Sequence, residues 1–557
     1  MFATTDTVLS ERFPVYTRAN VGEVFPDPVV PLTRSTYLWE SELGWRDAYA
    51  RMGAFELDEF PSDEFCILGV NGGYCYLNAS VMRLFGERAP GLSWRMIDEQ
   101  FFGAQPGVPD YVERDGDVRP DLTEQLQQTF GWVFTQTSID DLGRLTDHRN
   151  RTIALHRERP DFAELSDVEL WDLMESFRPM HRELFQEHLF VSTLTTVPVG
   201  VIQSTAEAVG RPDLILPIMA GIGDVDSAEP SYAMWQLSRL DPTSPAFRDG
   251  FEAFVDEFGS RGPNEWETRS PTWETTPNIA LAAIDRMRAA DESADPRRQQ
   301  AQRAAERDEA AATLLGMVDG DPEAHGQLAA AVACSAAWLP ARERTKTNNI
   351  RLIHEIRMPA RELGRRFVER DVFDEPEDIS FVVEAEFDDL FGPVPERLSE
   401  RVRERKAEHE AMAARVPEFV FAGRPSDPST WSTRTDRTAP KLVGGESIQG
   451  FPGCPGVSEG RARVILDSHD PTALEPGDVL VAPITDPSWT PLFVPAGGVV
   501  VDVGAALSHA IIVSRELGIP CVVSATDATQ RIPDGALVRV DGSTGMVTVL
   551  EEASPNV

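Results

Sequence analysis

The stretch GGVVVDVGAALSHAIIVSRELGIPCVV, residues 497–523, decides the fold of the C-terminal part of this chain. An apolar, β-branched run leads into the small-residue turn 504–506, and a helix is expected to open at Ser508, a good N-cap residue. Gly518 suits the left-handed position that ends a helix, and Pro520 cannot continue one. The stretch therefore predicts a strand, a turn, a helix over about 508–517 and a second strand.

Regions of different composition divide the chain. Short β-branched runs punctuated by Gly and Pro predict strands at 462–466, 478–483, 497–503, 519–523, 536–540 and 546–550. Apolar residues at helical spacing predict helices upstream, for example at 167–190, 247–260 and 279–316. The Ser/Pro/Thr-rich stretch 423–440 favours a flexible connector. We therefore expect a large, mainly α-helical domain (1–422), a linker (423–447) and an α/β domain (448–557).

Charge and composition exclude several classes of protein. The 557 residues are 41% hydrophobic and 26% charged, which is typical of a globular protein of three or four domains. Ninety-one acidic residues against 52 basic ones give a net charge of -39, which argues against nucleic-acid or anionic-membrane partners. We find no membrane-spanning run and no basic-then-apolar leader, so we expect a cytoplasmic protein. Five scattered cysteines predict neither a disulfide framework nor a CxxC metal site.

His509 is the residue with the clearest chemistry. It falls at the first helical position, where free backbone N–H groups and the positive end of the helix dipole favour an anion. A neutral imidazole nitrogen is a nucleophile, and a phosphoryl group on it would lie against those donors. From its position alone, His509 is a candidate phosphate carrier or a partly exposed residue beside the N-cap.

A resemblance extends this hypothesis. Residues 504–523, with GCPGVSEGRARVI (453–465) and IPDGALVRVDGSTGMVTVL (532–550), resemble the swivelling phosphohistidine domain of the phosphoenolpyruvate-utilising enzymes over about 100 residues. Ala505, Ile511 and Ser514 depart from the signature of that family, but none removes the histidine or its cap. The resemblance implies that His509 accepts a phosphoryl group at one site and delivers it at another, supported by Ser508 and Gly504.

The upstream region resembles the antibiotic-binding domain of rifampin phosphotransferases. Matching stretches occur in the same order over some 380 residues: RANVGEVFPDPVVPLT (18–33), GGYCYLN (72–78), FGSRGPNEWETRSPTWETTP (258–277), RERTKTNNIR (342–351) and ELGRRFVERDVFDEPEDISFV (362–382). In that family an ATP domain, the substrate domain and the phosphohistidine domain follow one another. The resemblance implies that residues 1–422 hold the phosphoryl acceptor.

Arg342 and Lys346 lie four residues apart, on one face of a predicted helix, a spacing suited to clamping a phosphoryl group. The resemblance assigns this pair to the acceptor end of the transfer, and a solvated charge pair is the alternative. Lys346 is also one of only three lysines, with Lys406 and Lys441. Arg261 and Glu265 are weaker candidates, which either orient substrate or pair internally.

A second set of residues has metal-ligating side chains on one predicted helix: His181, Glu183, Glu187 and His188. The two histidines are seven residues apart, and this spacing suits a shared metal poorly. We therefore predict no metal site in this chain.

The sequence contains neither an ATP-grasp domain nor a Walker motif, and no TIM barrel follows the predicted phosphohistidine domain. A phosphoenolpyruvate synthase is therefore not expected. We expect a phosphotransferase subunit that passes a phosphoryl group from His509 to a hydroxyl of an apolar phenol, antibiotic-like molecule or other alcohol. By resemblance, a separate ATP-grasp kinase subunit would bind ATP and Mg²⁺ and supply the β-phosphate, with the subunits divided as in phenylphosphate synthase. The alternatives are a non-catalytic ligand-binding or sequestration protein and a carrier charged by phosphoenolpyruvate.

Overall fold

The structure is a computed structural model. It describes residues 4–102, 107–223, 225–289, 292, 295–392, 397–434, 439–466, 474–485, 489–493, 495–504 and 508–552.

The region before residue 414 is built mainly of helices. Those described are α1 (Val21–Val24), α2 (Pro31–Thr33), α3 (Trp39–Met52), α4 (Ala79–Arg88), α5 (Trp94–Phe102), α6 (Pro120–Val133), α7 (Leu145–Arg157), α8 (Asp167–Ser176), α9 (Arg178–Ala208), α10 (Ile215–Ile218), α11 (Glu229–Ser238), α12 (Pro245–Phe258), α13 (Asn278–Ala289), α14 (Pro296–Met317), α15 (Pro322–Glu369), α16 (Phe387–Leu390) and α17 (Leu398–Ala413). The mainly helical character predicted for this region is confirmed, although the stretch 279–316 forms two helices instead of one.

Helix α15 is the 48-residue axis of this region and packs along α9, which in turn packs on α3. Its start is fixed by the Asp321 side chain, which accepts hydrogen bonds from the amides of Glu323 and Ala324. Trp338, Ile350 and Ile353 lie in the core shared with α9 and α3. Burial of these large apolar side chains supplies the main stabilisation of the region.

The stretch 167–208, which contains α9, is long and apolar enough to cross a membrane by length and composition alone. Its most apolar window is 44% buried inside the protein. The buried face of α9 also carries the polar residues His181 and Glu187. This pattern is typical of a core helix in a globular protein.

A small antiparallel sheet lies beside the helices and was not predicted. Its strands are β1 (Val15–Thr17), β2 (Leu68–Asn71), β3 (Tyr74–Asn78) and β4 (Val420–Ala422), in the order β2-β3-β1-β4. Tyr16 and Tyr76 pack on Phe421 with ring centroids 5.5 and 5.0 Å apart. The sheet joins segments some 400 residues apart, so the far end of this region closes onto its beginning.

The C-terminal domain is built on a larger sheet. Its strands are β5 (Ser447–Gln449), β6 (Phe451–Cys454), β7 (Val457–Val464), β8 (Val479–Ala482), β9 (Gly498–Val501), β10 (Cys521–Val523), β11 (Leu537–Asp541) and β12 (Met546–Glu551), and its helices are α18 (Thr490–Phe493), α19 (His509–Leu517) and α20 (Ala528–Arg531). Among the described residues the strand order is β5-β12-β11-β7-β8-β9-β10-β6. The predicted strands and the helix at 508–517 are confirmed.

The four central strands β7, β8, β9 and β10 run parallel, with Val481 paired to Val500 and Val499 to Cys521. Strands β8, β9 and β10 are buried on both faces, as their continuous apolar sequences require. The carboxyl ends of β8 and β9 meet at one edge, and the chain after β9 returns as α19.

The first half of the segment expected to be a flexible linker is packed instead. Trp431 is buried against Tyr74, with ring centroids 6.0 Å apart, and Arg434 makes a 2.7 Å ion pair with Asp27. The Ser/Thr/Pro composition is typical of linkers, but one buried tryptophan is enough to hold this stretch on the helical region. Leu442 already belongs to the core of the C-terminal domain.

The two domains contact each other through α14 and α19. The Arg303 guanidinium on α14 donates a hydrogen bond to the backbone carbonyl of Arg515, in the last turn of α19. This contact places the C-terminal end of α19 against the helical region.

Candidate active site

His509 is the first residue of α19, and Ser508 is the N-cap. Its imidazole Nδ1 lies 3.3 Å from the hydroxyl of Thr485, in the chain that follows β8. The Phe493 ring meets the imidazole edge to face, with centroids 5.8 Å apart. Because Thr485 contacts Nδ1, the opposite ring nitrogen, Nε2, is left as the one to face a reacting group.

Gly504 and Ser508 pack close together, and most of the turn predicted at 504–506 lies outside the described residues. A Cβ on Gly504 would lie 2.9 Å from Cβ of Val523 and 3.2 Å from the Ser508 hydroxyl, so position 504 needs glycine for close packing. The Ser508 hydroxyl is buried and has no hydrogen-bond partner among the described residues. Ser508 is therefore the N-cap residue, as predicted, but its side chain does not cap the helix amides in this arrangement.

A carboxylate takes the position that the sequence assigned to an anion. The backbone amide of His509 donates to Oε2 of Glu23, on α1, at 3.2 Å. This contact satisfies one of the free amides at the start of α19 and places a negative charge at the positive end of the helix.

The imidazole of His509 is neutral in this environment. Burial lowers its pKa well below the ordinary value, and the nearby positive charges of Lys346 and Arg261 lower it further. An unprotonated imidazole is the nucleophilic form. The two cations belong to the helical region, so docking of the domains itself shifts the pKa.

Lys346, Arg261 and Glu265 form one cluster. Arg261 Nε donates to Glu265 Oε2 at 2.7 Å, and Lys346 Nζ lies 3.4 Å from Glu265 Oε1. Glu265 is 1% exposed at its side chain, so it holds both cations from a buried position. The internal pairing considered for Arg261 and Glu265 is present, and it also presents Arg261 and Lys346 together to His509.

Arg342 lies one turn before Lys346 on α15, and its side chain makes no hydrogen bond or ion pair with the described residues. Both cations act on His188, on α9, and together with burial they lower its pKa to about 3. His188 Nδ1 lies 3.0 Å from the Thr345 hydroxyl. The predicted clamp therefore lies beside a second neutral imidazole, a neighbour that sequence reasoning did not connect with it.

The four residues of α9 with metal-ligating side chains each contact a different partner. His181 contacts Ser41, Glu183 contacts His148, Glu187 contacts Arg51 and His188 contacts Thr345. Within the described ranges, no group of three or more His, Cys, Asp or Glu side chains is arranged to hold a metal ion. The Mg²⁺ that the resemblance implies is expected on the separate kinase subunit.

Sequence reasoning missed Thr485, Phe493 and Glu23. Thr485 follows β8, and the carboxyl ends of neighbouring parallel strands lie together, so its position near the turn after β9 could have been inferred. Glu23 lies 486 residues from His509 and reaches it only because the domains dock. No local pattern signals that contact.

Asp502, just after β9, gives a pH prediction. Its Oδ1 accepts from the Thr529 amide at 2.7 Å, and burial raises its pKa to about 7 from 3.8. The folded state therefore holds a proton that the unfolded chain releases, and stability falls as pH rises from about 4 to about 7. We expect Asp502→Asn to remove this fall. The free energy of unfolding of the variant, relative to that of the wild type, should therefore be higher at pH 8 than at pH 5. Urea unfolding at both pH values measures this; an equal difference at both would contradict the assignment.

Comparison with known proteins matches two segments of the chain to family models. Residues 474–545, which contain His509, match the PEP-utilising enzyme mobile domain. The C-terminal domain contains a PEP-utilising mobile domain. Residues 238–343, upstream of it, match the rifampicin phosphotransferase fourth domain. That segment carries Arg261, Glu265 and Arg342, so both sides of the docked site fall within or next to matched segments.

Similar proteins match this chain over only part of their own length. An uncharacterized protein of Mycobacterium tuberculosis is 31% identical over 356 residues, covering 64% of this chain and 36% of that protein. A rifampicin phosphotransferase of Streptomyces sviceus is 31% identical over 342 residues, covering 60% of this chain and 37% of the relative. The rifampicin phosphotransferase of Bacillus subtilis is 38% identical over 173 residues, covering 29% and 19%. The chain thus spans about a third of the length of the first two relatives.

Proposed function

We propose that this chain is a phosphotransferase that carries a phosphoryl group on His509 and transfers it to a hydroxyl of an organic acceptor held by the helical region. The observation that carries the proposal is the docked arrangement, in which His509 lies close enough to Lys346 and Arg261 for both charges to act on it. The family matches on both sides of this contact support it, as do relatives named rifampicin phosphotransferase.

His509 acts twice in this proposal. In the first step Nε2 attacks the phosphorus of the donor, so a P–N bond forms and the P–O bond to the leaving group breaks. The contact of Nδ1 with Thr485 keeps the ring oriented and leaves Nε2 as the reacting nitrogen. In the second step the acceptor oxygen attacks phosphorus, the P–N bond breaks, and its electron pair returns to Nε2. Nε2 can then take the hydroxyl proton.

The cations of the helical region stabilise the second step. Charge spreads over the equatorial oxygens as the phosphoryl group moves, and fixed positive groups lower the barrier. Lys346 and Arg261 are prearranged by Glu265, and Arg342 is free to turn towards the same oxygens.

An apolar acceptor, as the sequence suggests, has support from a cavity at the domain boundary. The cavity is lined by residues of both domains, and its volume of about 260 Å³ includes space open to solvent. Phe101, Phe102 and Phe419 line its helical side, and Gly504 lines the side of the mobile domain. It also reaches Glu23, whose carboxylate contacts the His509 amide, so a molecule bound there would lie beside the carrier histidine.

The donor side of the proposal lies outside this chain. A separate ATP-grasp kinase would bind ATP and Mg²⁺, charge His509 with the β-phosphate, and release the domain to swing back, in a cytoplasmic complex.

Labelling of the purified chain tests this proposal. The chain is incubated with [β-32P]ATP and Mg²⁺, with and without lysate of its own cells, and in parallel with 32P-labelled phosphoenolpyruvate. Acid-labile label that depends on lysate and ATP would support a separate ATP-dependent kinase. Label from phosphoenolpyruvate alone would support the other charging route, and no label under any condition would favour a non-catalytic binding protein.

A further inference from the structure

A second cavity, lined almost wholly by charged and polar groups, lies in the helical region next to Arg261. Its volume is about 330 Å³, a figure that includes space open to solvent. Its walls come from α7, α11, α12 and α15 and from the chain that follows α12. Arg261 lines this cavity and also acts on His509, so the cavity borders the phosphoryl site.

Arg351 is the unusual residue in this cavity. It is 9% exposed, lines the cavity, and makes no hydrogen bond or ion pair with its side chain to any residue that the structure describes. Its Nη1 atom is fully buried without a partner. Asp226 and Glu257 act on this guanidinium through their charges, but neither makes a hydrogen bond or ion pair with it, so its burial remains costly.

Other cations add to the positive charge at this wall. Arg149, on α7, also lines the cavity, and its Nε is buried without a partner. The charges of Arg149 and Arg261, together with burial, lower the pKa of Arg351 to about 10. Three guanidinium groups facing one space attract an oxyanion, which arginine binds with paired hydrogen bonds.

Carboxylates face the same space and define its other side. Asp226, Glu229 and Glu257 line the cavity, and Asp226 and Glu257 partly offset the positive charge at Arg351. Asp226 is already 3.4 Å from Arg344, but its Oδ2 is buried without a hydrogen bond. The cavity therefore presents unsatisfied donors and an unsatisfied acceptor, which fits a ligand with an oxyanion and a neighbouring hydrogen-bond donor.

We propose that this cavity binds an oxyanion group, a carboxylate or a phosphate, carried by the phosphoryl acceptor, with Arg351 and Arg149 as its ligands. The identification of the ligand as the phosphoryl acceptor rests on the proposed function. The binding of an oxyanion in the cavity does not depend on phosphoryl transfer. The acceptor then combines an anionic group, held by Arg351 and Arg149, with the apolar part proposed above, and Arg261 links this cavity to the surroundings of His509.

Ligand binding to the full unphosphorylated chain tests the proposal without ATP, lysate or kinase. The probes are benzoate, phenyl phosphate, neutral benzamide and inorganic phosphate, with affinity measured by calorimetry and stabilisation by thermal unfolding. We expect benzoate or phenyl phosphate to bind and benzamide not to bind. Arg351→Gln should weaken that binding about 10- to 100-fold, the range for a charge-assisted hydrogen-bonded contact.

Matched variants separate a binding role from a structural one. Arg361→Gln, on the same helix but paired with Glu377 away from the cavity, should bind the probes as the wild type does. Without ligand, Arg351→Gln should unfold at the same or a higher temperature than the wild type, because an unpaired buried charge is removed. Arg149→Gln provides a second variant at a half-buried position and should also weaken binding.

Three results would overturn the proposal: no organic anion binds the wild type, binding is equal in Arg351→Gln, or Arg351→Gln unfolds at a lower temperature and binding is unaffected by Arg149→Gln. Binding of inorganic phosphate alone would assign the cavity to the free ion and overturn the link to the acceptor. The same measurements on His509→Ala should be unchanged, so failure of the phosphotransfer proposal and failure of this one are distinguishable.

Discussion

His509→Ala is expected to lose all acid-labile phosphorylation and all transfer to acceptor, a drop of at least about 1,000-fold in labelling. No other described imidazole combines a place at the start of a helix with neighbouring cations from a second domain. The buried His188 is also neutral, but it lies within α9 and not at the exposed end of a helix. Autoradiography of the chain after incubation with [β-32P]ATP, Mg²⁺ and lysate measures the effect.

His325→Ala is the matched control for this experiment. His325 lies in the first turn of α15, where its imidazole is 3.3 Å from Asp319 at an exposed position. Its removal should leave labelling at the wild-type level. Retained label in His509→Ala would show that another residue is the carrier, and loss in both variants would point to a fold defect instead.

Lys346→Ala is expected to slow discharge of the phosphorylated chain to acceptor by about 100- to 1,000-fold, while charging of His509 stays normal. Discharge is affected and charging is not, because Lys346 belongs to the helical region and acts on His509 only in the docked arrangement. In the proposed mechanism, His509 is charged while the mobile domain is turned towards the phosphoryl donor. The measurement is single-turnover release of label into the small-molecule fraction, after charging with lysate.

The same variant should raise the pKa of His509 towards its ordinary value, because a nearby cation disfavours the imidazolium form. Histidine NMR signals of the uncharged chain follow that shift. Lys406→Ala is the control, since Lys406 is paired with Asp378 at 3.0 Å and lies away from the site. Equal loss of charging and discharge in Lys346→Ala would contradict the assignment of Lys346 to the acceptor end.

The C-terminal domain could be predicted almost completely from sequence because its signals are local. Each strand is a short β-branched run ended by Gly or Pro, and Ser508 and Gly518 mark the two ends of α19. Gly518 indeed has the left-handed backbone expected there, with φ of 71°. Local rules suffice where each element carries its own start and stop.

The small sheet of the N-terminal region could not be predicted in the same way. Its strands are three to five residues long, and β1 pairs with β4 from the other end of the region. Such short strands are fixed by tertiary contacts, here the packing of Tyr16 and Tyr76 on Phe421, which no window of sequence contains. The packing of Trp431 escaped prediction for the same reason.

The same distinction between local signals and distant contacts applies to the residues of the candidate site. His509, Arg342 and Lys346 were predicted from motif and spacing, and the structure brings Lys346 to His509. Glu23 and the role of Glu265 in tying Arg261 to Lys346 depend on contacts between distant segments. Contacts of that kind follow from docking and cannot be inferred from spacing.

The packing of Trp431 and Arg434 on the helical region limits the distance over which the mobile domain, with His509, can move. Only seven residues, 435–441, lie between Arg434, which is held by Asp27, and Leu442, which belongs to the core of the mobile domain, so the two are eight Cα–Cα steps apart. A fully extended chain of that length spans roughly 28 Å. While Trp431 stays buried, this short connecting segment limits how far the mobile domain can move from the helical region. Any kinase that charges His509 must therefore bring its phosphate to within the distance that the segment and the rotation of the domain allow.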